Sequence, residues 1–260
     1  MFNIGLQLWT VKEETEKDFE GTLRKLAQMG YPGVEFAGFY QASSLCLKEL
    51  LQETGLKPAG SHTPLEELIQ KLEEVLDYNR GIGNKLIVLP WLPEQKRKTA
   101  VAYKETASLL NEIGQKCREN GFMFAYHNHD FEFQRYGEGT GLDILLKHTS
   151  PENVKFELDS YWAVYAGVDP IALMREHPGR FISLHLKDMK IGDGEKRSTE
   201  LGTGTIDIKS LITAGMEQEI DWYIIEQEQF EQSPVDSCKQ SLQFILDLKK
   251  ELLTSLIDHA

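Results

Sequence analysis

Apolar residues recur along this chain in two rhythms, every second position in short runs and every third or fourth position in the longer runs between them. The alternating runs predict strands at Asn3–Val11, Gly33–Ala37, Lys57–His62, Lys85–Pro90, Phe122–Phe133, Val154–Asp159, Phe181–Asp188 and Tyr223–Glu228. The helical rhythm predicts Asp18–Met29, Leu45–Glu53, Leu65–Tyr78, Thr99–Asn120, Leu142–His148, Ile171–Glu176, a segment capped by Asp207 and running to about Met216, and Val235–Leu253. Gly30, Gly55 and Gly121 stand where helices end, and Asp169-Pro170 supplies an N-cap and a first-turn proline. Eight strand-helix units in this length predict an α/β fold, the (β/α)₈ TIM barrel, as one domain over residues 1–260. A doubly wound sheet normally has fewer strands, and the unbroken apolar run Leu86-Ile87-Val88-Leu89 suits a parallel strand buried on both faces.

Barrels of this kind carry their chemistry at the C-terminal strand ends. In Phe122–Phe133 the period of two puts Phe122, Phe124 and Tyr126 on one face and Met123, Ala125, His127 and His129 on the other. Three later strands repeat the design and end in Asp159, His185 and Glu226. Singly, each has a plain reading: a buried histidine pair, an N-cap for Ser160-Tyr161-Trp162, a core histidine, a partner for a lysine. Together, His127, Asp159, His185 and Glu226 at four adjacent strand ends form a candidate metal-ligand set, whose oxygen and imidazole donors suit Mn, Fe, Co, Zn or Mg.

Around them, Gln7 and Trp9 are expected to face the barrel interior and bind substrate, together with His62, His129, Trp162 and Lys187. Candidate acids and bases are Glu226, Glu35, His62, His129 and Lys187. The bland alternatives are structural ion pairs for Glu35 and Lys187, and core aromatics for Trp9 and Trp162. His148 and His177 precede strands and so fall on the opposite face, as structural residues; His259 belongs to a solvated tail. Residues Ile191 to Gly204 are expected to form a long glycine-rich loop, matching neither a P-loop nor a dinucleotide fingerprint.

Composition narrows the partners. Acidic residues number 41 against 28 basic ones, a net charge of −13, which argues against a nucleic-acid backbone and for a small polar substrate. Three cysteines, far apart and without CxxC spacing, encode neither a disulfide framework nor a zinc knuckle. No apolar run reaches the ~20 residues of a membrane span, and no signal sequence opens the chain, so a soluble cytoplasmic protein without a membrane partner is expected. A homo-oligomer is compatible with these features.

Seven segments in order, Gly-Tyr-Pro-Gly-Val-Glu-Phe (30–36), Gly-Ser-His-Thr-Pro (60–64), Tyr-His-Asn-His-Asp-Phe-Glu-Phe (126–133), Phe-Glu-Leu-Asp (156–159), Leu-His-Leu-Lys-Asp (184–188), Leu-Gly-Thr-Gly-Thr-Ile-Asp (201–207) and Ile-Ile-Glu-Gln-Glu (224–228), carry a family likeness. The chain resembles the xylose isomerase-like superfamily of sugar phosphate isomerases/epimerases. The resemblance implies a TIM barrel with one Mn, Mg, Co or Zn ion, manganese foremost, held by Glu, Asp, His and Glu on strands five to eight. Asp159, His185 and Glu226 match that pattern, and His127 falls where the family usually has its first Glu. Ketose 3-epimerases of the family use both glutamates as ligands and as acid and base, so Tyr-His-Asn-His looks more like the inosose dehydratase branch.

The expectation is a metal-dependent isomerase or epimerase that abstracts a proton next to a carbonyl of a small sugar or polyol derivative, with an inosose dehydratase-like or keto-sugar lyase as the alternative. Two rivals remain. An endonuclease IV-like hydrolase shares the fold but needs more rim ligands and a basic face; a non-catalytic sugar-binding barrel would lack turnover with added Mn²⁺.

Overall fold

In the computed structural model, residues 2–137 and 139–258 are described; His259 lies outside them. Eight parallel strands close on themselves in chain order: β1 (Asn3–Gln7), β2 (Gly33–Phe36), β3 (Lys57–His62), β4 (Leu86–Leu89), β5 (Met123–His127), β6 (Lys155–Asp159), β7 (Phe181–Leu186) and β8 (Trp222–Ile225). β8 returns to β1, pairing Leu6 with Ile225. The expected (β/α)₈ barrel is therefore the architecture found.

Alternation along each strand separates two interiors. Outward residues such as Phe124, Tyr126, Phe156, Leu158, Leu184 and Tyr223 enter the large core beneath the helices. Inside the barrel, the apolar filling is a small plug of Leu86, Val88 and Ala125, with Ile182 packed against it. Toward the C-terminal ends the inward positions turn polar yet stay buried: Gln7, Glu35, His127, Glu157, Asp159, Ser183 and His185. Burial of so many polar groups is tolerable only where they satisfy one another, and their register makes that possible. His127 is level with Glu157, and Asp159 with His185. Gly60 makes room for one of them, since a Cβ there would stand 2.7 Å from Glu35 Oε1.

Several expected boundaries move, each for a local reason. β1 stops at Gln7, whose side chain accepts from Trp9 N at 3.0 Å and so starts a 3₁₀ turn, Leu8–Val11. Trp9 is thus not on a strand facing the interior; it is 48% exposed. The helix expected from Asp18 begins after it, because Asp18 is its N-cap, accepting from Gly21 N at 2.9 Å. Leu65–Tyr78 divides into α4 (Leu65–Gln70) and α5 (Leu72–Ile82), broken at Lys71 with φ −136°. Phe122–Phe133 is strand only to His127, then turns, with a 3₁₀ segment at Phe131–Phe133, so His129 is not on the strand face.

The expected glycine-rich loop is mostly a β-hairpin, Asp188–Gly192 with Glu195–Thr199. Asp188 anchors it, accepting from the backbone N–H groups of Met189, Gly202, Gly204 and Ile206 at 2.7–3.0 Å. Gly204 is required there, since a Cβ would meet Asp188 Oδ1 at 2.3 Å. Among the described residues no helix is long and apolar enough to cross a membrane.

Candidate metal and catalytic site

Four consecutive strands deliver His127, Asp159, His185 and Glu226 to the C-terminal rim, where one donor atom from each lies within 4.8 Å of the others. All four are buried. Asp159 divides its two oxygens. Oδ1 accepts from Trp162 N at 3.0 Å and caps α8 (Ser160–Tyr165), while Oδ2 is buried without a hydrogen bond. The plain reading of Asp159 as an N-cap is therefore correct for one oxygen and leaves the other to the cluster, where the Lys187 ammonium stands 3.1 Å from it. Asn128 holds the backbone behind it, its Oδ1 accepting from Asp159 N at 3.0 Å.

Beneath this set lies a second layer that sequence reasoning missed. Glu157 Oε1 meets His62 Nε2 at 2.9 Å, His127 Nδ1 at 3.1 Å and His185 Nε2 at 3.0 Å, and Ser183 Oγ donates to Oε2. Glu157 was legible, because the alternation that selects Asp159 also puts the residue two before it on the same face. Glu35 joins the layer, with Oε2 2.8 Å from His185 Nε2 and 3.1 Å from His62 Nε2. With the inner nitrogens so engaged, His127 turns Nε2 toward Asp159 Oδ2, 3.9 Å away, and His185 turns Nδ1 toward Glu226 Oε2 at 3.1 Å. His62, His127, Glu157 and His185 also lie within 4.8 Å of one another, but their approach consists of imidazole-carboxylate pairs at hydrogen-bond distance.

The donor set suits a divalent cation: two carboxylates and two imidazoles, with Glu35 Oε1 buried without a hydrogen bond just below. Positive charge already gathers there. Lys187 Nζ lies 3.1 Å from Asp159 Oδ2, 2.9 Å from Glu226 Oε2 and 2.7 Å from Glu228 Oε1. Burial works to deprotonate Lys187, but these three carboxylates overcome it and hold its pKa well above the usual lysine value. Burial likewise opposes charge on His185, and Glu157 and Glu35 reverse that, keeping it an imidazolium. Against the cost of their own burial, Glu157 is held well below the usual range by His185 and His127, and Glu226 by Lys187 and His185.

Above the cluster opens a cavity of about 860 Å³. His62, His127, His129, Trp162 and Glu226 line it, and so does Trp9, from the 3₁₀ turn. Burial lowers the pKa of His62, but Glu35 and Glu157 outweigh it and raise the ring to about 9. His129 goes the other way, down to about 2, through burial and the nearness of His127 and Lys187, and its ring stacks on Phe131 at 5.3 Å. Glu132 fixes this turn, accepting from His129 N at 2.7 Å and from the Tyr126 hydroxyl.

Of the expected site residues, Asp159, His185, Gln7, Glu35 and Lys187 are not in the cavity wall; the first two belong to the donor cluster beneath it. Gln7 is buried and donates to Glu35 Oε2 at 2.7 Å, so it positions Glu35 instead of meeting a ligand. Glu35 lies in the inner layer, and Lys187 is sealed behind Glu226, with Nζ 5.3 Å from the Trp162 ring centroid. Each was chosen because it points inward, which says nothing of its depth.

Comparison with known proteins places this geometry. The model of the xylose isomerase-like TIM barrel matches residues 23–248. An inosose dehydratase of Geobacillus thermodenitrificans is 26% identical, over 82% of this chain and 83% of that protein, and inosose dehydratase 2 of Bacillus cereus is 25% identical over the same shares. A sugar phosphate isomerase/epimerase of Parabacteroides distasonis superposes with a TM-score of 0.80 at 27% identity, covering 94% of this chain and 93% of that one. The IolI protein with a bound zinc atom shares the fold, with a TM-score of 0.76 at 16% identity over 95% and 98%. On a match spanning most of its length, together with a closed eight-stranded barrel, the chain belongs to the xylose isomerase-like TIM barrel family.

Proposed function

We propose that this protein is a divalent-metal-dependent isomerase or epimerase that abstracts a proton next to a carbonyl of a small sugar or polyol derivative. The observation that carries this reading is the convergence of His127, Asp159, His185 and Glu226, one donor atom from each within 4.8 Å of the others, with His127 and Glu226 lining the cavity above them. Those four residues would hold the ion, which when bound would polarise the carbonyl as a Lewis acid. The zinc atom of the IolI protein supports a metal of this class.

The chain's own residues divide the proton transfer. Glu226 lines the cavity as a carboxylate and is the base. His62, on the same wall and held as an imidazolium by Glu157 and Glu35, has a proton to give at neutral pH and is the acid. His127 is a ligand only, since both of its nitrogens face carboxylates. Lys187 and Glu35 act from behind, Lys187 by keeping Glu226 ionised and Glu35 by keeping His62 charged. Positioned acid-base catalysis of this kind is worth roughly 10²–10⁴ in rate.

A second reading is elimination of water, favoured by the inosose dehydratase relatives and by His62, whose proton would protonate a departing hydroxyl. Incubation with ketoses and keto-inositols in D₂O and Mn²⁺ tests both. Deuterium entering unchanged or epimerised sugar supports the first reading, and an unsaturated or tautomerised product supports the second. Metal-loaded Glu226→Gln should show no exchange in either case; normal exchange in that variant would move the base elsewhere.

A further inference from the structure

One sugar ring underfills the cavity. Its volume of about 860 Å³ is near the top of the ~300–1,000 Å³ range that takes drug-sized ligands, whereas a pyranose or inositol has only about a dozen non-hydrogen atoms. From the cluster, the space continues past Phe39 to the face of α4 and α5 that carries Glu67, Lys71, Glu74, Val75 and Tyr78.

This outer chamber has a fixed wall. Phe39 and Tyr78 pack with ring centroids 4.2 Å apart, and the Tyr78 hydroxyl donates to Ala42 O at 2.7 Å. Between Phe39 and Ala42, Tyr40 and Gln41 take φ of 47° and 64°, left-handed conformations that are strained for non-glycine residues and persist only where surrounding contacts impose them. Thr15 Oγ1, 2.9 Å from the Tyr40 hydroxyl, is one such contact. Trp91 adds a further aromatic face and is 46% exposed. Neither strain nor exposed tryptophan is needed to close a barrel.

The chamber's charge argues against phosphate. In the outer chamber Lys71 is set against Glu67 and Glu74, and His62 stands at the reacting end of the cavity beside Glu226. Flat aromatic faces with interspersed carboxylates instead suit a neutral sugar ring, whose C–H faces stack on the rings while its hydroxyls donate to the carboxylates.

We propose that the outer chamber is a subsite for a second, neutral ring, so that the substrate is a glycoside whose reacting ring carries its carbonyl away from the anomeric carbon, rather than a free sugar or a sugar phosphate. The proposal rests on the proton-abstraction reading above and adds the substrate class.

The test compares a hexose whose keto group lies at C3, so that glycosylation at C1 leaves the carbonyl free, with its methyl glycoside, the disaccharide carrying glucose at the same anomeric oxygen, and the 6-phosphate of the keto sugar. kcat/KM for deuterium exchange should be at least about tenfold higher for the disaccharide than for the methyl glycoside, and lowest for the phosphate. Val75→Trp, which fills the chamber, should bring the disaccharide-to-methyl ratio close to one; if that variant does not fold, Lys71→Trp fills it from an exposed position. A wild-type ratio near one, a ratio unmoved by the filling variant, or a preference for the phosphate would overturn the proposal. Exchange into none of the four compounds would count against the reaction and leave the chamber to be judged by saturation-transfer NMR on the Mg²⁺-loaded protein. Saturation reaching both rings of the disaccharide supports the subsite, and saturation confined to the keto ring refutes it.

Discussion

The ammonium of Lys187 sits 2.9 Å from Glu226 Oε2, the oxygen that also meets His185 Nδ1 at 3.1 Å. With Asp159 Oδ2 3.1 Å away on its other side, this buried cation touches two of the four donors proposed for the metal and balances their charge. Removing one member of such a network leaves its partners uncompensated, at a cost of about 3–5 kcal/mol. Lys187→Met should lower the Tm of metal-free protein by several degrees, and Mn²⁺ should raise the Tm of the variant by more than it raises that of the wild type. Equal Mn²⁺-induced shifts would show that the lysine and the ion do not share these carboxylates.

Metal content should follow the ligand set. After dialysis against chelator-treated buffer containing a stoichiometric divalent ion, the wild type should retain one ion per chain and Asp159→Asn and His185→Ala close to none. His127→Ala should retain the ion with weaker affinity. A normally folded Asp159→Asn with full occupancy would remove Asp159 from the set.

Glu157 leaves the outward nitrogens of His127 and His185 to the cluster and receives their inner ones. Partners that orient ligating histidines are worth about 10–100-fold in metal affinity. Glu157→Gln should weaken Mn²⁺ binding by that factor, measured calorimetrically, while far-UV circular dichroism stays unchanged. Wild-type affinity in the variant would reduce Glu157 to filling.

His62 gives a pH signature in metal-free protein. Its folded pKa of about 9 stands above the usual 6.5. The stabilisation is therefore fully present below about 6.5 and lost as pH rises through about 9, at most about 3 kcal/mol because Glu35 and Glu157 share the same contacts. Urea denaturation across this window should show stability falling in the wild type and a flatter profile in His62→Gln. Parallel profiles would mean that the ring is not charged in the folded state.

Asp188 separates architecture from chemistry within Leu-His-Leu-Lys-Asp. It accepts four backbone N–H groups and lies outside the cavity wall. Asp188→Ala should cost about 2–4 kcal/mol, from several lost charge-assisted hydrogen bonds, with metal stoichiometry intact. Loss of the ion without loss of stability would contradict the anchoring role.

The order of strands and helices, and the inward or outward sense of each strand residue, are legible in the residues alone, because both follow from local periodicities that a short run of side chains imposes. That was enough for the barrel, for His127, Asp159, His185 and Glu226 at neighbouring strand ends, and in principle for Glu157. Tertiary structure decided depth and neighbourhood. Gln7, Glu35 and Lys187 point inward like Glu226, yet the first three are sealed and Glu226 reaches the cavity. The difference lies in register: a shift at Phe156/Glu157 sets Asp159 level with His185, and a shift at Val34/Glu35 places Glu35 beside Gly60. Register depends on how all eight strands stagger to close the ring, a condition on distant segments jointly that no local pattern contains. Trp9 departs from its expected place for the converse reason, since one hydrogen bond from its backbone N–H to the Gln7 side chain ends the strand at Gln7, four residues earlier than alternation implies.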